Sequence, residues 1–324
     1  MLLAGDVGGT KVRLALFKSN EKLLSKKEMK YRSKDYPDLV SLMKDFLSQV
    51  SHDEITSICV GVAGAVVDGR CKETNIPWII DERELKEKLN VPKVWLMNDL
   101  EANAWGLRVL EKEELFCVNK GEKIQGNQAL ISAGTGLGEA GLFWDGCAHH
   151  PFATEGGHVD FAPIDEKEID LLRYLQRQFE HVSYERILCG SGLYLLYRFL
   201  IDTKREKEDA DVEAIEPGQE PQKLITEKAL AGTSKVCVHA VELFTSIYGA
   251  EAGNLALKFM GMGGVFIGGG IAPHLVPFFS KKTFMHAFVS KGRFLELLDK
   301  IPVHIVLNER TALLGAARYA QERE

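Results

Sequence analysis

Apolar residues along this chain follow two rhythms, and the rhythms change in an ordered way. Leu2, Leu3 and Ala4, then Val12, Leu14, Leu16 and Phe17, read as two strands joined by a glycine turn. The polar run Asn20-Glu21-Lys22 ends the second strand, and another begins at Leu23. Leu39, Leu42, Met43, Phe46 and Leu47 recur at helical spacing, which predicts an amphipathic helix over 36–50. A short apolar run over 55–62 reads as a buried strand. A helix over 81–89 leads into a second buried strand at 94–97. Strand–helix–strand order at these lengths argues for an α/β domain over residues 1–108.

The opening pattern returns further on. Residues 129–132 form a strand, Ala133-Gly134-Thr135-Gly136-Leu137-Gly138 a glycine turn, and 139–144 a second strand. This echo points to a duplicated architecture with a cleft between two halves. Helical spacing dominates 166–179, 191–201 and 233–260. Residues 202–222 are charged, contain Pro217-Gly218 and Pro221, and lack apolar periodicity, so they read as a surface insertion with little claim to function. A strand at 303–307 and a helix at 311–321 close the chain. The expected domains are 1–108 with 309–324 packed back on it, and 109–308.

Composition narrows the classes. The chain has 324 residues, 45% of them hydrophobic and 27% charged, with a formal net charge of −6. With no basic excess, nucleic acid is not an expected partner. Six cysteines are scattered singly, without a C-x-x-C pair, so neither zinc nor thiol redox chemistry is indicated. Most, such as Cys59 between Ile58 and Val60, read as reduced core residues of a reducing compartment. The N-terminus lacks the basic flank of a signal peptide. The longest weakly polar run, 259–271, is too short and glycine-rich for a bilayer, which needs about 20 apolar residues. No membrane association and a cytoplasmic location are expected.

Three glycine-rich segments each follow a strand: Gly5-Asp6-Val7-Gly8-Gly9-Thr10-Lys11, Gly134-Thr135-Gly136-Leu137-Gly138, and Gly268-Gly269-Gly270-Ile271. Glycine lets backbone approach a ligand and aim N–H groups at phosphate oxygens. Asp6 is suited to hold a water on Mg²⁺, and Thr10 and Thr135 can donate hydroxyl bonds. Each loop alone is more simply a tight turn. Neither P-loop spacing nor a G-x-G-x-x-G opening a helix is present. Their set and order carry the signal.

In that order the segments resemble the phosphate-1, phosphate-2 and adenosine segments of the sugar kinase/heat-shock/actin superfamily. Within it, Asn98-Asp99-Leu100-Glu101-Ala102, Glu155-Gly156-Gly157-His158-Val159-Asp160-Phe161 and Tyr184-Glu185-Arg186-Ile187-Leu188-Cys189-Gly190-Ser191-Gly192-Leu193 resemble the bacterial glucokinase family. The cysteine-rich zinc motif of the related repressor/kinase family has no counterpart here. The resemblance implies a two-domain actin/hexokinase-like (ribonuclease H-like) α/β fold. It also implies ATP and Mg²⁺, transfer of the γ-phosphoryl group to the 6-hydroxyl of glucose, and a homodimer. It makes Asp99 the catalytic base, with Asn98, Asp99, Gly136, Glu155, His158 and Glu185 on the sugar. Asp6, Gly8, Gly9, Thr10, Lys11, Gly134, Thr135, Gly268, Gly269 and Gly270 fall to the nucleotide, Asp6 holding the metal through water. A closing cleft would exclude water, the competing nucleophile.

Plainer readings stand beside these. Asp99 ahead of Leu100 could simply cap a helix. Glu185, near a helix start, could be a solvated face, and His149-His150 reads as exposed loop, not a metal pair. Glu139 departs from the family pattern, where a small or apolar residue is expected. Kinases of mannose, fructose or an N-acetyl hexosamine could use the same groups. A sugar-sensing regulator or chaperone-like ATPase could keep the fold without turnover, but Asp99 is intact and the N-terminus carries no helix-turn-helix extension.

Overall fold

The computed structural model describes residues 1–18, 23–50, 55–72, 76–215 and 219–324. The turn expected at 20–22 and part of the expected insertion, 216–218, lie outside them. The chain divides into two compact units. One comprises Met1–Glu114, His150–Ala153 and Asn308–Glu324, the other Leu115–His149 and Thr154–Leu307.

The first unit begins with strands β1 (Leu2–Val7), β2 (Lys11–Phe17) and β3 (Lys27–Arg32), then helix α1 (Leu39–Ser48) and strand β4 (Ser57–Val62). A small hairpin, β5 (Arg70–Lys72) and β6 (Ile79–Asp81), precedes α2 (Glu82–Leu89), β7 (Lys93–Asn98) and α3 (Asp99–Leu107). The second unit runs through β8 (Leu115–Asn119), β9 (Gln128–Ala133) and β10 (Leu137–Trp144), and is followed by β11 (His149–Thr154), whose residues 150–153 are counted with the first unit. It continues with α4 (Glu166–Leu175), α5 (Gly190–Asp202), α6 (Ala210–Glu213), α7 (Pro221–Ala231) and α8 (Lys235–Phe259). After these come β12 (Gly264–Gly268), α9 (Val276–Phe279), α10 (Lys282–Val289), α11 (Leu295–Asp299) and β13 (Val303–Val306). Helix α12 (Thr311–Gln321) returns to the first unit.

The first sheet has the order β3-β2-β1-β4-β7, with β1 antiparallel to β2 and parallel to β4, and β4 parallel to β7. The second has the order β11-β10-β9-β12-β13-β8. There β9 is antiparallel to β10 and parallel to β12, and β12 is parallel to β13. Each sheet thus sets a hairpin beside two parallel strands, and each hairpin turns at one of the first two glycine segments. The echo in the sequence corresponds to a repeated topology.

Local chemistry explains the elements. Asp38 caps α1 by accepting from Ser41 N at 2.7 Å, and Asp81 caps α2 by accepting from Arg83 N at 2.8 Å. Helix α8 is buried along most of its length, which suits its place as the central helix of the second unit. Its Tyr248 hydroxyl accepts from Ala133 N at 3.1 Å and donates to Ile131 O at 3.3 Å, fixing the end of β9 where a glycine segment begins.

Two expectations change. Helix α7 lies across the end of the presumed insertion, because Ile225 and Ala229 bury one face of a segment whose polar residues hide its periodicity. His149 and His150 open β11 rather than a loop, and His149 Nε2 lies 3.0 Å from Gly126 O. Most of the cysteines are buried, as expected: Cys59, Cys71, Cys189 and Cys237, with Cys117 and Cys147 exposed. Among the described residues no helix is long and apolar enough to cross a membrane.

Candidate active site

Strand β1 carries Asp6 to the edge of the first glycine turn. Gly8 N donates to Lys11 O at 2.9 Å, closing the turn and leaving Thr10 and Lys11 exposed at its tip. Ser33 pins it from behind: its hydroxyl donates to Gly8 O at 2.8 Å and its N–H to Thr10 O at 3.2 Å. Nothing in the sequence ties Ser33 to a loop so far upstream. Asp6 stands opposite Arg13 in the β1–β2 ladder. Burial pushes its carboxyl above the usual range, with Arg13 opposing. A hydrated cation would supply such a carboxylate with the solvation that burial removes. Among the described residues no three His, Cys, Asp or Glu side chains form a metal cage.

At the end of β7 the chain turns into α3, and here the capping residue is Asn98, not Asp99. Asn98 Oδ1 accepts from Leu100 N at 2.8 Å, while its amide donates to Gly64 O at 3.1 Å. Asp99 is the first helical residue, with Oδ1 accepting from Leu100 N at 2.9 Å. The positive end of the helix favours a carboxylate there. Gly61 on β4 admits the helix, since a β-carbon there would come within 2.9 Å of Ala102 Cβ.

In the second unit four expected sugar residues converge. His158 Nδ1 is 3.8 Å from Glu185 Oε1, and Nε2 is 3.9 Å from Glu155 Oε2. These separations exceed hydrogen-bonding range, so His158 hydrogen-bonds neither carboxylate. The Glu155 side chain is 67% exposed, that of His158 58% and that of Glu185 32%, so all can reach a ligand. Glu185 lies in a turn five residues ahead of α5, not on its face. Its Oε2 accepts from Leu137 N at 3.0 Å and fills the place of a β-carbon on Gly136. Its N–H donates to Gly157 O at 2.9 Å, and Gly157 packs with no room for a side chain against Leu137 O. Gly136, Glu155, His158 and Glu185 therefore form one patch.

The remaining glycine segments meet at one sheet end. Because β9 and β12 are parallel neighbours, the Gly134 and Gly268 turns leave the same edge, where ligands of open α/β sheets bind. Gly269 has φ +83° and lies directly on Ala133 O, an approach that only glycine makes without strain. Gly190 N, at the start of α5, donates to Gly134 O at 3.0 Å.

The glucokinase family model matches residues 3–323. This chain belongs to the glucokinase family. It is 39% identical over 336 residues to the glucokinase of Nostoc sp. (strain PCC 7120 / SAG 25.82 / UTEX 2576), with 98% of each chain covered. A glucokinase crystal structure from an Antarctic psychrotroph superposes with a TM-score of 0.85 at 27% identity, covering 100% of this chain and 99% of that one. A glucokinase from Balamuthia mandrillaris in complex with glucose superposes with a TM-score of 0.83 at 20% identity, covering 99% and 93% respectively. The fold is the actin/hexokinase-like one.

Sequence reasoning missed two supports of the site besides Ser33. Thr154 donates from its hydroxyl to Glu139 O at 2.9 Å and accepts from Gly156 N at 3.1 Å, holding the stretch that carries Glu155. Glu139, seen only as a departure from pattern, is buried beneath that stretch.

Proposed function

We infer that this chain is a glucokinase that moves the γ-phosphoryl group of ATP to the 6-hydroxyl of glucose, giving glucose 6-phosphate and ADP. The observation that carries this reading is the convergence of Gly136, Glu155, His158 and Glu185 on one exposed patch. A hexose presents hydroxyls that both donate and accept, and ionised carboxylates with an imidazole are efficient partners for them. Asn98 offers its amide to the same sugar, and Asp99 accepts the proton of the attacking hydroxyl. The Gly8-Gly9-Thr10 and Gly134-Thr135 turns supply N–H and hydroxyl donors to the phosphates, Lys11 adds charge, and Gly268-Gly269-Gly270 receive the nucleoside. Mg²⁺, held through water by Asp6, would neutralise charge on the phosphates. Phosphoryl transfer needs positioning and charge stabilisation more than covalent help from protein, and these residues provide both. A cytoplasmic homodimer belongs to the same reading.

ADP release measured on a panel of hexoses tests this. Glucose should lead, because a polar site rejects analogues that leave its groups unpaired. Equal catalytic efficiency on glucose and N-acetylglucosamine would sink the glucose assignment, and no turnover of any hexose would favour a sugar-sensing regulator. Glu155→Gln should weaken glucose affinity, read by calorimetry, as well as rate, since it removes a charged acceptor from the sugar. The loss should be about 1.5–3 kcal/mol in binding, the range for hydrogen bonds to charged groups. Unchanged affinity would remove Glu155 from the sugar site.

A further inference from the structure

Beneath the patch lies a buried polar cluster that the reaction does not use. Glu139 on β10 is 1% exposed, and its Oε1 has no hydrogen-bond partner. Its other oxygen, Oε2, sits where a β-carbon of residue 156 would stand, so the carboxyl packs directly against Gly156. Glu251 on α8, 0% exposed, is its carboxyl neighbour, near enough for the two side chains to pair by a hydrogen bond and for the charge of Glu251 to act on Glu139. Two carboxyl groups can share such a bond only if a proton lies between them. Glu251 is also held from its far side. Asn254 Nδ2 donates to its Oε2 at 2.8 Å, and Lys258 Nζ lies 3.2 Å from its Oε1. The same Asn254 amide is 3.1 Å from the Tyr184 hydroxyl, next in sequence to Glu185.

The surrounding charges fit one proton. Lys291, Tyr184 and Tyr248 also act electrostatically on this pair, and Glu168 acts in turn on Lys291 and Tyr184. Glu139 ionised as well as Glu251 would set two like charges in contact away from water, which is strongly unfavourable. With the proton shared, Lys258 and Lys291 face the remaining charge of Glu251 and the carboxyl of Glu168.

We propose that Glu139 and Glu251 share one proton and act as positioning residues for glucose, keeping Glu139 seated under Gly156 and the Glu155–His158 stretch in its sugar-binding shape. The inference rests on the sugar-binding role assigned above to Glu155 and His158. Burial, followed by the charge of Glu251, pushes the Glu139 carboxyl from 4.5 up to about 8, with Lys258 opposing. Ionisation above that range drives the two carboxylates apart, and Gly156 is the backbone in the way. The KM for glucose should therefore rise with pH through this range while kcat changes less. Stability carries a matching sign. The folded value lies above the unfolded one, so the contribution is full below about 4.5 and is lost as pH rises through about 8.

The test uses the full chain as wild type, Glu139→Gln and Glu251→Gln. Isotope-edited infrared spectroscopy should show, in the wild type, a protonated carboxyl at neutral pH that titrates away with a midpoint near about 8 and is missing from both variants. Glu139→Gln keeps a neutral donor to Glu251, so its KM at neutral pH should stay within about twofold of wild type and its alkaline rise should vanish, whereas the wild-type KM climbs about tenfold. A wild type without the protonated carboxyl overturns the shared proton whatever the activity. A Glu139→Gln variant whose KM still rises in parallel with wild type overturns the positioning role. A wild type inactive on glucose would refute the functional reading instead, and the infrared titration would still decide the shared proton.

Discussion

Asp99→Asn should lose roughly 10²–10⁴-fold in turnover, the range of general-base contributions, while glucose still binds within a modest factor. The substitution is nearly isosteric and keeps an oxygen acceptor for Leu100 N. It removes the proton acceptor and little else. Folding should hold, because the cap of α3 is Asn98, whose oxygen accepts from Leu100 N at 2.8 Å. The stability cost should stay within the ~0.3–1 kcal/mol of a lost helix-end charge. Calorimetry with glucose and ADP release on the same preparation separate binding from chemistry. If the variant kept more than about a tenth of the wild-type rate, well short of the general-base range, Asp99 would not be the base.

Gly315→Ala should destabilise the chain by about 3 kcal/mol, the upper part of the range for overpacking, and reduce turnover as well. Helix α12 crosses α3 at two glycines. A β-carbon on Gly315 would run into Ala102 O, and one on Gly106 into Thr311 O. Both obstacles are backbone, so no rotamer change relieves them. One methyl group must push the helices apart, and α3 carries Asp99 at its first position. Urea denaturation would read the loss as a lower midpoint, and turnover under native conditions would read the displacement of Asp99. A variant within about 1 kcal/mol of wild type, an ordinary mutational effect, would show that the crossing is looser than its geometry indicates.

These two changes differ in how far the sequence announces them. Asp99 stands in a motif with Asn98, and its chemistry is legible from residue type and neighbours. Gly315 lies in an unremarkable helix, Thr311-Ala312-Leu313-Leu314-Gly315, and only the crossing gives it a role. Ser33 and Thr154 are similar. Each is a common hydroxyl residue whose partner, Gly8 O or Glu139 O, is fixed by the fold. Helix α7 was hidden for another reason: a short charged helix that buries only two residues presents too weak a stripe to be seen.

By itself the sequence determined the alternation of strands and helices, the three glycine turns and the family motifs, because each depends on chemistry within a few neighbouring residues. Period-two and period-3.6 burial are local, as is a glycine's tolerance of φ +83° at Gly269. The tertiary structure alone decided which separated residues share a site. Gly136 and Glu185 are joined through Leu137 N, and His158 stands between Glu155 and Glu185. It also decided the state of Glu139. In the chain that residue is one more acid among glycines; in the fold it is desolvated against Glu251, 112 positions away along a backbone that brings β10 and α8 together. Burial and contact belong to the packed chain, and no short segment encodes them.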